Sequence, residues 1–257
     1  MKRTLYTLLI ITLLALTGCM GRFESALQKD GIAGRCVSSR LATVGGVNVW
    51  RARGAGRPFL FSAGMAIDAD GAPNAYHPED IGTDRLRSAG RSGHWWALAT
   101  DTGKTNGTPV IQGPGDPYPG YYVSMTALSN PAYPEQSTFH YVNSNFIPYF
   151  VLPGGSSAGA RLGDLGVVYN TKNRKLMTAI YADIGPKDKI GEGSIYLATN
   201  TGVGSNPRQG GAEDGILYLV FPGSGSGRPL TEAEIERRTT EIFNDWGGLS
   251  RLRGCMN

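Results

Sequence analysis

Histidine and cysteine are scarce, with three of each in 257 residues. His77, His94 and His140 lack the tight spacing of zinc ligands and do not indicate a zinc site. Asp68-Ala-Asp-Gly opens like some calcium loops. The twelfth position from Asp68 is Glu79, however, and the residues between are wrong for an EF-hand. The glycine run of Pro222-Gly-Ser-Gly-Ser-Gly is not followed by Gly-Lys-Ser/Thr, which excludes a phosphate loop. No internal repeat and no long linker divides the chain. Neither a metal nor a cofactor is expected.

Long apolar runs are missing too, apart from Leu5 to Leu16 behind Lys2-Arg3. That run is too short to span a bilayer and reads as a secretory leader. Leu16-Thr17-Gly18-Cys19 follows, the pattern of a bacterial lipobox, so cleavage before Cys19 and lipidation of its thiol are expected. The mature chain would be tethered to the membrane in the cell envelope. Met20 is not an Asp, which points to the outer membrane where there are two. Residues 1–18 are then the leader, 19–58 a tether and N-terminal extension, and 59–257 a single domain of ample size for one core. An exported chain permits a disulfide between Cys36 and Cys255, the favoured reading; two unpaired buried thiols are the other.

Charged residues make up only 18% of the chain, with a formal net charge of +4 that falls to +2 without Lys2 and Arg3. In an exported protein so small an excess does not indicate nucleic acid. It counts slightly against a polycationic ligand and suits one that carries carboxylates.

Many short apolar segments alternate with Gly/Pro turns, a pattern of β-rich architecture with few helices. Strands are expected at 44–50, 58–61, 94–99, 121–126, 146–152, 165–169, 176–184 and 216–221. Pro148 demotes the 146–152 segment to an edge or a bulge. The segment from Leu165 pairs with the one from Leu176 as a hairpin. A short helix is expected from Ser194. Near the C-terminus Thr231 and Glu234 form a capping box, and Ile235, Ile242, Phe243 and Trp246 share one face of a packing helix stopped by Gly247-Gly248.

The chemistry centres on two acids nine positions apart. Asp183 closes the apolar strand from Leu176, and Glu192 stands between Gly191 and Gly193 after the Gly185-Pro186 break. By strand alternation Asp183 shares a side with Met177, Ala179 and Tyr181. An acid and a base facing one another over a groove are what glycosidic hydrolysis needs. The same acids could instead cap the strand end and the helix from Ser194, and spacing alone leaves both readings open.

The wider chain resembles glycoside hydrolase family 75, the chitosanases first recognised in fungi. The likeness rests on Asp68-Ala-Asp-Gly-Ala-Pro-Asn-Ala-Tyr-His-Pro78, Trp95-Trp96 with Asp101, Val110-Ile-Gln-Gly-Pro114, and Pro119-Gly-Tyr-Tyr-Val-Ser124. It continues through Tyr149-Phe-Val-Leu-Pro-Gly154, Leu162-Gly-Asp-Leu-Gly-Val-Val-Tyr-Asn170, Ala182-Asp-Ile-Gly-Pro186 with Gly191-Glu-Gly-Ser194, and Val220-Phe-Pro-Gly-Ser-Gly225. The resemblance implies a six-stranded, double-psi-like β-barrel with a substrate groove and a few peripheral helices. It implies Asp183 and Glu192 as the catalytic pair, with inverting, endo-acting chemistry on the β-1,4 linkages of chitosan. Asp68, Asp70, Asn74, Tyr76 and His77 are the implied sugar contacts, and Trp96, Tyr121 and Tyr181 are aromatic candidates. Trp95 and Trp96 point oppositely on a strand, so at most one can line the groove. Asp183 is assigned as base and Glu192 as acid, with the reverse open. Two rival readings are a peptidoglycan-cleaving, muramidase-type envelope enzyme and a non-catalytic glycan-binding lipoprotein.

Overall fold

A computed structural model describes residues 24–155 and 157–256. The leader at 1–18 and the lipidation candidate Cys19 lie outside the described residues. Among the described residues ten strands follow in order: β1 (Val37–Val44), β2 (Val47–Ala52), β3 (Phe59–Asp68), β4 (Gly90–Arg91), β5 (His94–Trp95), β6 (Tyr149–Pro153), β7 (Leu165–Asn170), β8 (Leu176–Gly185), β9 (Glu192–Ser194) and β10 (Ala212–Phe221). Residues 24–29 are helical, and further helices are α1 (Ile195–Thr201), α2 (Glu232–Trp246) and α3 (Gly248–Gly254).

Six strands close on themselves in the order β3-β10-β7-β8-β6-β9, with β9 pairing back to β3. Closure leaves no free edge in the ring. Two pairs, β6 with β8 and β3 with β9, are parallel, and the other ring pairs are antiparallel. The strand at Tyr149–Pro153 is therefore no edge: β6 bonds to β8 on one side and β9 on the other. Pro148 precedes the strand, where no ladder N–H is demanded of it, and its carbonyl accepts from Ile180 N at 3.0 Å.

Alternation sorts the strand side chains into two layers. Phe59, Phe61, Met65, Phe150, Val168, Ala179, Tyr181 and Tyr218 fill the lumen. Phe61 stacks on Tyr218 at 4.6 Å, and Phe150 on Tyr181 at 5.9 Å. The opposite faces, including Leu60, Tyr169, Leu217, Leu219 and Phe221, are covered by Trp50 and by Phe243, Trp246 and Leu252 of the C-terminal helices. The capping box on α2 is formed as expected, with Gly247 in the left-handed conformation at its end. The segment ahead of residue 59 belongs to the sheet. β1 and β2 form a hairpin on β3, and Trp50 is fully buried, its indole N–H donating to Asp30. Cys36 and Cys255 are joined in a disulfide, Cα–Cα 5.4 Å, 219 residues apart. By loop entropy such a closure stabilises by about 5 kcal/mol.

Residues 69–146 contain little regular structure. The strands expected near 94–99 and 121–126 are reduced to β5 and to isolated bridges such as Leu98 with Ser124. A small core of Ala69, Ala72, Ala75, Tyr76, Ala89 and Leu98 holds this stretch together. Buried Gln112 staples it, donating to the carbonyls of Pro73 at 2.6 Å and Tyr122 at 3.0 Å while accepting from Tyr118 N. This long loop forms one wall of the site. Among the described residues no helix is long and apolar enough to cross a membrane.

Candidate active site

Across one side of the barrel runs a single ladder row. Ala66 of β3 pairs with Glu192 of β9, Glu192 with Val151 of β6, and Val151 with Asp183 of β8. Cross-strand partners face the same side of a sheet, so both acids stand on the outer surface with Val151 as the floor between them. Neighbouring strands lie about 4.8 Å apart, which sets the two backbones about 9.6 Å from one another. The groove over this row holds about 430 Å³ and is lined also by Asp68, Asp70, Tyr76, Asp84, Trp96 and Lys189.

Alternation alone would send Asp183 elsewhere. Met177, Ala179 and Tyr181 do face the lumen. Tyr181 pairs with Phe150, but the next partner of β6, Val151, pairs with Asp183 and skips Ala182. The extra residue is a β-bulge, and it puts Asp183 on the outer face beside Ala182. This corrects the expectation that Asp183 shares a side with Tyr181. Once there, Asp183 Oδ1 accepts from Ala127 N at 2.8 Å and Ile184 N at 2.9 Å.

The glycines beside Glu192 have a measurable purpose. Gly191 has φ +95°, and a Cβ on it would lie 2.8 Å from both Ala63 Cβ and Gly64 O. No other residue fits there. Glu192 Oε2 lies 3.5 Å from Lys189 Nζ and 3.6 Å from where a Cβ on Gly185 would sit. The carboxylate therefore leans over Val151 toward the end of β8. Capping of α1 is done by Ser194, whose Oγ accepts from Leu197 N at 3.1 Å. That leaves Glu192 free for the groove.

Asp68 ends β3, buried, and its Oδ1 accepts from Asp70 N at 2.8 Å. Asp70 Oδ1 accepts from Tyr76 Oη at 2.6 Å, and the Asp70 carbonyl from Tyr149 Oη at 2.9 Å. Burial pushes the Asp68 and Asp70 carboxyls well above the usual range, reinforced in each case by the neighbouring acids. Burial likewise raises Asp183 to about 7; its two backbone donors oppose the rise, Glu192 adds to it, and a hydrogen bond with the Asp70 carboxyl opposes it. A hydrogen bond between two carboxyls requires one of them to hold a proton. Oxygens of Asp68, Asp70 and Asp183 lie within 4.8 Å of one another, close enough to surround a cation.

Two acids held apart over an open groove are the setting of glycoside hydrolysis. The family model of the fungal chitosanases of glycosyl hydrolase group 75 matches residues 65–247. The chain belongs to this family of glycoside hydrolases. No curated protein matches it.

Of the residues singled out from the sequence, Asp68, Asp70, Tyr76, Trp96, Asp183 and Glu192 meet in the groove. Trp96 is 52% exposed over it, whereas Trp95 packs toward Tyr122. Four others do not line it. Tyr181 is in the lumen. Asn74 Oδ1 accepts from Asn145 Nδ2 at 2.7 Å, and His77 Nδ1 accepts from Glu79 N while its ring packs on Tyr121 at 4.8 Å. These three make their contacts within the loop region. Tyr149, Asp84 and Ala127 were missed. Tyr149 reads as one more apolar strand residue, and the contact between Ala127 and Asp183 spans 56 positions with no local signal.

Proposed function

We propose that the protein is an endo-acting chitosanase that cleaves β-1,4 linkages with inversion, using Asp183 and Glu192 as acid and base. The observation that carries this reading is the ladder row in which the two acids flank Val151 on an open groove. Inverting pairs stand roughly 6.5–9.5 Å apart, leaving room for a water, and retaining pairs roughly 5–5.5 Å. Two strand spacings favour the wider class.

The proton inventory favours exchanging the roles assigned from sequence. Asp183, pushed up to about 7 by burial against the opposing hydrogen bonds, holds a proton in mildly acidic solution and donates it to the departing glycosidic oxygen. Glu192, ion-paired with Lys189, takes a proton from water as the water oxygen bonds to the anomeric carbon. Both carboxyls then exchange protons with solvent to reset the site. In the Glu192→Gln variant azide, which needs no deprotonation, should restore cleavage; it should fail in Asp183→Asn. The opposite pattern would reverse the roles, and full activity in both variants would sink the pair.

Local charge supports chitosan over peptidoglycan. The chain is net positive, yet among the described residues the groove is lined by Asp68, Asp70, Asp84, Asp183 and Glu192 against the one cation Lys189. An acidic groove attracts a polymer of protonated glucosamine and repels one that carries carboxylates. Reducing-end release from chitosan and not from purified cell wall is the expected result. We propose further that the mature chain is exported and held in the envelope by lipid on Cys19; metabolic labelling with a fatty acid, lost in Cys19→Ser, tests this.

A further inference from the structure

A second row crosses the other side of the barrel. Ser62 of β3, Leu217 of β10 and Tyr169 of β7 are in register and form the floor of a cavity of about 770 Å³. In the ring, β10 and β7 stand opposite β9 and β6, so this cavity faces away from the groove. Its walls come from the N-terminal segment, the C-terminal end and the β7–β8 turn, which supply Lys29, Arg253, Lys172 and Arg174. Two acids accompany these four cations. Asp30 accepts from Asn48 and the Trp50 indole, and Asp214 is ion-paired with Lys172.

Two independent features point to a ligand. Lys29, Arg174 and Arg253 have no ion pair or side-chain hydrogen bond among the described residues. Tyr169 is 1% exposed and lines the cavity, yet its hydroxyl has no hydrogen-bond partner among them; neither has the Ser62 hydroxyl. Converging cations and two hydroxyl donors suit a group with several acceptor oxygens and more than one negative charge. A protonated glucosamine chain is excluded from this cavity by its charge.

We propose that the cavity is a phosphate-binding site, taking either the phosphate of an anionic lipid headgroup or that of a soluble phosphate compound. Cations from both chain ends and from the hairpin turn close around the anion while the Tyr169 and Ser62 hydroxyls donate from the floor. The site stands apart from hydrolysis and does not depend on which polymer the groove accepts.

The experiment compares the full chain with an Arg174→Gln/Arg253→Gln double variant, Tyr169→Phe, and Arg237→Gln as a surface control. Inorganic phosphate is titrated against chloride at constant ionic strength, with the melting temperature as readout. Saturable stabilisation is expected in the parent and the control, with apparent affinity at least tenfold weaker in the double variant and severalfold weaker in Tyr169→Phe. A second arm compares sedimentation with phosphatidylglycerol and phosphatidylcholine vesicles, reading the difference between compositions because a lipid anchor would bind both. Preference for phosphatidylglycerol that disappears in the double variant assigns the headgroup; phosphate stabilisation without it assigns a soluble compound. A phosphate response that is absent, or the same in parent and double variant, overturns the site.

Discussion

The two rows on opposite sides of the barrel differ in where they keep their charge. On the groove side Asp68, Asp183 and Glu192 are themselves strand residues, so the hydrogen-bonded ladder fixes their spacing. On the other side the strands offer only Ser62, Leu217 and Tyr169, and the charges sit on turns and chain ends. Charge that must act at a fixed separation is built into the ladder. Charge that has only to surround an anion can be delivered by mobile side chains. The contrast also shows why the net charge of the chain is a poor guide to the groove: the cations of the cavity and the acids of the groove lie on different faces.

The largest expected effect would break the groove side alone. Asp183→Asn and Glu192→Gln should each lower chitosan hydrolysis by roughly 10²- to 10⁴-fold, measured as reducing ends released. Phosphate stabilisation should be untouched in both. Next in size is loss of the disulfide, which clamps the wall of the basic cavity near Gly31, Arg253 and Met256. Cys36→Ser should cost about 2–5 kcal/mol in denaturant unfolding, and activity of the folded fraction at low temperature should persist. If hydrolysis falls as far as stability does, the two faces are not independent.

A third change tests how tightly the ladder holds its acid. Gly191→Ala puts a methyl against Ala63 and Gly64 at a positive φ, so both stability (about 1–3 kcal/mol) and turnover should fall. A variant with normal kcat would mean that Glu192 needs no such placement. The smallest effect concerns pH. Asp68, Asp70 and Asp183 have folded pKa values above their unfolded values, so the native state binds more protons than the unfolded state between about pH 4 and 7. Their contribution is favourable below the unfolded pKa and is lost as pH rises through the folded one. Asp70→Asn should accordingly raise the melting temperature at pH 7 and not at pH 4, while lowering activity. Equal shifts at both pH values would show that the acids are not strained against one another.

Much of this was legible in the sequence because local patterns determine it. The capping box of α2, the Ser194 helix start and the Leu165–Leu176 hairpin are set by neighbours in sequence. Asp183 and Glu192 stood out because an acid ending an apolar strand and an acid between glycines are conspicuous. What remained hidden depends on distant partners. The bulge at Ala182 exists only in relation to β6, so alternation misplaced Asp183, and with it Tyr181. Pro148 made β6 resemble an edge because the rule against proline concerns the interior of a strand, and only the pairings reveal where the strand begins. The loop wall at 69–146 has no periodicity to read: Gln112 and small alanines hold it, while Asn74, His77 and Tyr121 take partners within it.

The bulge makes the location of the acid a matter of counting. Had Ala182 paired with Val151 and not bulged out, the same carboxylate in the same family motif would follow strict alternation along β8. Asp183 would then turn inward against Phe150, a charge enclosed by the barrel with no water to meet. In this chain one alanine of no chemical distinction decides whether the carboxylate beside it faces a polymer or the interior.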